Sequence, residues 1–215
     1  MHGILPARSM TLAVLKTVRQ CWPGLLTVKI RLGRDTAGWE LRFGERMHLF
    51  EDAGVDAVIL HPRFFEDKFK RRARHELLAW VASLTRLPLI ANGDITSAES
   101  VRQNPDLFKP ACALMIGRMA AVQPWVFAAW NKPVPVDHAE VWHRLYAYIC
   151  EDFPPEKALG RIKVFTKYYA RNFKFGHDFG TAVQNAPTLE SARERANVFF
   201  GRSPVIDPEP SVMGL

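Results

Sequence analysis

The sequence predicts an α/β chain in which βα units build a parallel sheet and a second region consists of helices alone. Three observations predict it. Short apolar runs at residues 26–31 (LTVKIR), 57–63 (AVILHPR), 89–91 (within LPLIANGDI) and 113–118 (ALMIGR) are each interrupted or ended by a cation, imidazole, amide or glycine. They are too brief for helices and suit strands buried on both faces. Helix-compatible segments separate consecutive runs, the alternation that favours parallel strands with polar groups gathered at their ends. After residues 131–137 (NKPVPVD), where two prolines break any helix or central strand, only helical patterns remain.

With 215 residues, 48% of them hydrophobic, the chain can bury a sizeable core in one or two domains. The expected divisions are 1–130 for the sheet-bearing part, 131–137 for a linker, 138–203 for a helical domain and 204–215 for a frayed tail. No run reaches the ~18–20 apolar residues of a membrane span, and the first residues lack a signal-peptide pattern, so a cytoplasmic protein is expected. No metal site is expected. Cys21, Cys112 and Cys150 form no C-x-x-C pair. They suit a reducing compartment and are expected to be buried as small hydrophobes.

The elements follow in order. Ser9 is expected to cap a helix over residues 10–20 with apolar positions at Leu12, Leu15 and Val18, and Pro23-Gly24 ends it. The strand carrying Lys29 leads through residues 33–38 to a helix over 39–53, stopped by Gly54. The strand 57–60 runs into His61-Pro62-Arg63, a basic loop and a helix over 75–84. After the strand ending at Asn92-Gly93-Asp94, Ser97 starts a helix to about residue 104; the strand with Gly117-Arg118 and a short segment to residue 130 complete the first part. Helices are expected over 138–150, 156–173 and 189–200.

Charge is unevenly distributed. The net charge is +7, and residues 1–136 carry 19 Lys/Arg against 12 Asp/Glu, whereas residues 137–215 carry 10 against 10. The densest run contains Arg63, Lys68, Lys70, Arg71, Arg72 and Arg74. A solvated face and a polyanion-binding loop both fit it. In the helix over 156–173, Ala158, Leu159, Ile162, Phe165 and Tyr169 share one side, while Lys163, Lys167, Arg171 and Lys174 gather on another. Val164 and Tyr168 border the basic stripe. Such a stripe serves solubility or grips a nucleic acid, where an exposed ring can stack on a base.

The strand ends carry the candidate chemistry. Asn-Gly tolerates positive φ and bares backbone N–H groups. It is a plain turn or a ligand cradle. Gly117 and Arg118 add an N–H and a charged fork after the next strand. Lys29, flanked by Val28 and Ile30, would be costly to bury without a compensating anion, from a ligand or a structural salt bridge. A reduced flavin is such an anion. His61 is a ligand contact or a satisfied polar terminus.

These residues resemble those of the tRNA-dihydrouridine synthases, flavin enzymes that reduce a uracil ring in tRNA. LTVKIRLG, ILHPR, LPLIANGDI and LMIGRMAAVQPWVF are similar, in order and spacing, to that family's strand-end motifs over about residues 26–127, and the basic helix followed by residues 185–190 resembles its tail. The resemblance implies FMN, with NADPH as electron source and tRNA as substrate. By matched position, Lys29 and His61 would contact the flavin, and Asn92, Gly93, Asp94, Gly117 and Arg118 its ribityl phosphate. Arg63 would lie near the flavin and substrate face. The tRNA would meet Arg63, Lys68, Lys70, Arg71, Arg72 and Arg74 of the loop and Lys163, Lys167, Arg171 and Lys174 of the helix.

There are departures. Family members begin with a segment that supplies the first four barrel strands and a cysteine in an Asn-x-x-Cys-Pro context, thought to protonate uracil C5. No cysteine of this sequence stands in that context, so no catalytic residue is assigned. The phenylalanines and cations after His61 are also unusual for the family. The expectation is the C-terminal half of a (β/α)8 barrel, four βα units, plus a small helical tRNA-binding domain. Truncation of a full-length enzyme is the preferred origin, with self-association or a separate N-terminal half as other routes to closing two open strand edges and an uncovered interior. A non-catalytic tRNA-binding remnant is the alternative function. A flavin barrel acting on a small molecule is a third reading, which the basic helical part disfavours.

Overall fold

The computed structural model describes residues 5–67 and 71–212. Lys68 and Lys70, two of the expected tRNA contacts, lie outside the described residues. The chain divides into two compact units, Met1–Gly117 and Arg118–Leu215, so residues 131–137 run inside the second.

In the first unit, α1 (Leu5–Cys21), β1 (Thr27–Gly33), α2 (Trp39–Asp52), β2 (Ala57–Phe64), a 3-10 turn (His75–Leu77) and α3 (Leu78–Ser83) are followed by β3 (Leu89–Asn92), α4 (Ala98–Arg102), α5 (Pro105–Phe108) and β4 (Ala113–Met115). The expected cap at Ser9 is corrected: α1 starts at Leu5, which leaves Ser9 inside it. Ser97 does cap α4, accepting from Ser100 N in a reciprocal capping box.

The strands are parallel and lie in sequence order, β1-β2-β3-β4. Val28 pairs with Val58 and Val58 with Leu89; Leu60 pairs with Ala91 and Ala91 with Leu114. Side chains alternate across a sheet, so all of these share one face. That face is aliphatic, and Phe64 continues it onto the helices: its ring meets Trp39 of α2 edge-on at 4.9 Å, and Trp39 meets Trp80 of α3 at 5.2 Å. Phe43, Met47, Phe50, Leu78 and Val81 are buried with them. The register slips between Arg31 and Gly33, opposite Pro62. Proline has no N–H for the ladder, which favours a bulge there.

The second unit is built from α6 (Arg118–Val122), a 3-10 turn (Pro124–Val126), α7 (His138–Asp152), α8 (Pro155–Tyr169), a 3-10 turn (Ala170–Asn172), α9 (Gly176–Gln184) and α10 (Leu189–Phe200). Trp142 sits at the centre of its core with Ile162, Tyr169, Phe179 and Val183, and its Nε1–H donates to Thr166 Oγ1 at 2.9 Å. A Cβ on Gly176 would lie 1.7 Å from the Ala170 carbonyl oxygen, so only glycine lets α9 start there. The expectation of a frayed tail after residue 204 is corrected. Ile206 bridges Phe173, Asp207 N donates to Asn172 O at 2.7 Å, and Val212 is buried.

The expected burial of the cysteines is likewise corrected. Cys21, Cys112 and Cys150 are all exposed and form no disulfide. Among the described residues no helix is long and apolar enough to cross a membrane.

Candidate active site at the carboxyl ends of the sheet

The second face of the sheet carries Ile59 and Ile90 in its middle and polar groups beside them and towards the strand ends. Lys29 pairs with Ile59 and Arg31 with His61, while Asn92, one residue beyond the Leu60–Ala91 pair, stands level with His61. Alternation therefore places Lys29, Arg31, His61 and Asn92 on one side, towards the strand ends. Sequence reasoning assigned no role to Arg31, although the period-two spacing of Lys29 and Arg31 carried the signal.

Lys29, whose burial the sequence made conditional on a compensating anion, is exposed. Partial loss of hydration against the sheet, and then the charge of Arg31, still push its pKa down. His61 is buried, and its pKa is pushed down to about 4. Burial is the main cause, followed by Arg63, Lys29 and Arg31, with Asp94 opposing. The ring is neutral at pH 7.

Asn92 ties the ends of β3 and β4 together, its Nδ2 donating to Met115 O at 2.7 Å. Gly93 takes φ 105°, and a Cβ there would come within 2.6 Å of His61 Cδ2. The glycine thus lets the imidazole lie against the β3 turn. Asp94 adopts φ 51°, and its carboxylate accepts from Arg63 Nη2 at 2.6 and 2.7 Å and from Ala73 N at 2.7 Å. A Cβ on Gly117 would meet nothing within 4 Å. Arg118 starts the second unit, where its Nη1 donates to Val212 O at 2.8 Å.

The expectation that Arg63 contacts tRNA is corrected. Its side chain is completely buried and held by Asp94. The basic loop is organised by Asp67, which sequence reasoning did not single out. Asp67 is buried, accepts from Phe64 N at 2.9 Å, and pairs with Arg74 and Arg71. The Arg74 bond, more than any other contact, holds its carboxyl below the ordinary range. Arg74 also stacks on Phe64 at 4.8 Å, which leaves Arg71 and Arg72 exposed. On α8 and the turn after it, Lys167, Arg171 and Lys174 are exposed and Lys163 is half-buried.

The donor set of the first unit fits an anionic, planar ligand such as FMN. A cationic pair, a neutral imidazole and an amide share one face, with open space at Gly117. Lys29 has no acidic partner among the described residues.

A family model described as Dihydrouridine synthase (Dus) matches residues 5–198. A "Probable tRNA-dihydrouridine synthase" of Helicobacter pylori is 33% identical over 214 residues, covering 93% of this chain and 61% of that protein. The "tRNA-dihydrouridine synthase B" of Vibrio parahaemolyticus is 35% identical over 198 residues, 84% of this chain and 59% of its own. The protein of the same name from Escherichia coli K12 is 31% identical over 180 residues, 77% and 55%. The chain thus spans 55–61% of the length of these relatives.

Proposed function

The chain belongs to the dihydrouridine synthase family, and from that premise we propose that it carries the flavin cradle and tRNA-facing cations of an FMN- and NADPH-dependent enzyme that reduces uridine to 5,6-dihydrouridine in cytoplasmic tRNA. The observation that supports this reading is the two-faced sheet: aliphatic towards its helices, and bearing Lys29, Arg31, His61 and Asn92 on the other side. FMN, when bound, supplies the hydride that reduces the uracil ring. Lys29 and Arg31 offset the negative charge of the reduced ring and of phosphate. His61, neutral, offers one ring N–H as a donor without adding charge. Asn92, its Nδ2 committed to β4, keeps Oδ1 as an acceptor. Gly93 and Gly117 would hold the ribityl phosphate through N–H groups.

In the second unit, Lys167, Arg171 and Lys174 would neutralise tRNA phosphates. Arg71 and Arg72 would do so from the first. The test is incubation of the protein with FMN, NADPH and unmodified tRNA, followed by nucleoside mass spectrometry. Dihydrouridine with matching NADPH oxidation is expected once a family segment bearing the Asn-x-x-Cys-Pro cysteine is also supplied, and the absence of both from that completed mixture would refute the reading. Exposed cations on α8 with no acidic partner among the described residues favour a second reading, tRNA binding without turnover. It predicts salt-steep tRNA binding in the same mixture and no dihydrouridine.

A further inference from the structure

Arg63 is 0% exposed, and a guanidinium stays charged wherever it is placed. Its Nη2 meets both oxygens of Asp94, while its Nη1 lies 3.3 Å from His61 Nε2. A guanidinium offers N–H groups only. The nitrogen facing it must therefore be the lone-pair nitrogen of the imidazole, which puts the proton of the neutral ring on Nδ1. Gly93 closes on the ring from another element: a Cβ there would stand 2.6 Å from His61 Cδ2 and 2.9 Å from Nε2, and would drive the ring off Arg63. The clamp is fixed in turn, because Ala73 N donates to Asp94 Oδ2 at 2.7 Å and Arg74 N donates to Pro62 O at 2.8 Å. The charged groups acting on His61 are Arg63, Lys29, Arg31 and Asp94.

We propose that Arg63 is a positioning residue: clamped by Asp94, its guanidinium fixes His61 as the Nδ1–H tautomer and so decides which ring nitrogen donates to a bound ligand. Asp94 then acts on the ligand through Arg63 rather than by touching its phosphate, which a carboxylate would repel. The consequence for flavin rests on the function proposed above; the tautomer does not.

Long-range 1H–15N correlation spectra of the full chain labelled with 15N-histidine test the proposal, with His61 assigned by its loss in His61→Gln. At pH 7 the expected pattern is a protonated Nδ1 and a pyridine-type Nε2. Arg63→Met removes the donor, and the Nδ1–H tautomer should be lost; Arg63→Lys retains one donor and should keep it. FMN affinity is expected to fall roughly tenfold in Arg63→Met, the worth of one charge-assisted hydrogen bond, and less in Arg63→Lys. Should Arg63→Met fail to fold, the wild-type spectrum and Asp94→Asn decide, the latter being expected to mix the two tautomers. A protonated Nε2 in the wild type, or a tautomer unchanged by Arg63→Met or Asp94→Asn, overturns the proposal. A chain that shows the Nδ1–H pattern but takes up no FMN leaves the positioning role standing and removes the proposed function.

Discussion

The two units use their cations in opposite ways. In the first, Arg63 and Arg74 turn inward to Asp94 and Asp67. In the second, Lys167, Arg171 and Lys174 stay at the surface while Trp142, Phe179 and their neighbours fill the interior. Within the basic run at the strand ends, Arg74 finds its acid in Asp67 of the same run and Arg63 in Asp94 after the next strand, so these two charges shape the site. The exposed cations of α8 have no acidic partner among the described residues and remain available to something outside.

The largest effect should come from breaking the inward pair. Asp94→Asn leaves Arg63 buried beside an amide, and removing one partner of a buried ion pair costs about 3–5 kcal/mol. Urea unfolding followed by tryptophan fluorescence measures this. A loss near that of Lys167→Ala, expected within about 0.5 kcal/mol because Lys167 is exposed, would erase the contrast between the units. Gly176→Ala tests the packing of the second unit alone. Its Cβ would overlap the Ala170 carbonyl, so the cost should reach the upper end of the about 1–3 kcal/mol typical of overpacking, or exceed it.

pH sharpens the same comparison. Burial lowers His61 to about 4 in the folded chain, against roughly 6.5 when unfolded. The unfolded chain therefore takes up the proton first. The stabilisation is complete above about pH 6.5 and is lost progressively as pH falls towards 4, on the order of 3 kcal/mol in all. Burial lowers His75 of the first unit and His138 of the second as well. His61→Gln should flatten, but not abolish, the slope of unfolding free energy between pH 6.5 and 4. The smallest change in stability belongs to Lys167→Glu with Arg171→Glu, which should nonetheless weaken tRNA binding roughly tenfold and lower its salt slope. Unchanged binding would deny the outward cations their role.

Much of the sheet could be read from the sequence because each strand is a short aliphatic run closed by a polar residue. The polar face was legible at Lys29, His61 and Asn92, and was missed at Arg31. What hid was partnership over distance: nothing local shows that Arg63 meets Asp94. The pairing of Asp67 with Arg71 and Arg74 is local, but the acid was read only as part of the charge run. Helix α9 was missed because Gly176 and Gly180 weaken its pattern, although Gly176, Phe179 and Val183 repeat at helical spacing. The tail was misread since its anchors are a backbone bridge to Phe173 and a bond to Asn172 O, which side-chain composition does not display.

Titration of the purified chain with FMN, followed by quenching of flavin fluorescence, tests most directly whether the polar face of the sheet is a flavin cradle. One FMN should bind per chain, with binding abolished by Lys29→Glu and strongly weakened by Asn92→Leu. A chain that leaves the fluorescence unchanged, or that binds FMN equally well after Lys29→Glu, would contradict it.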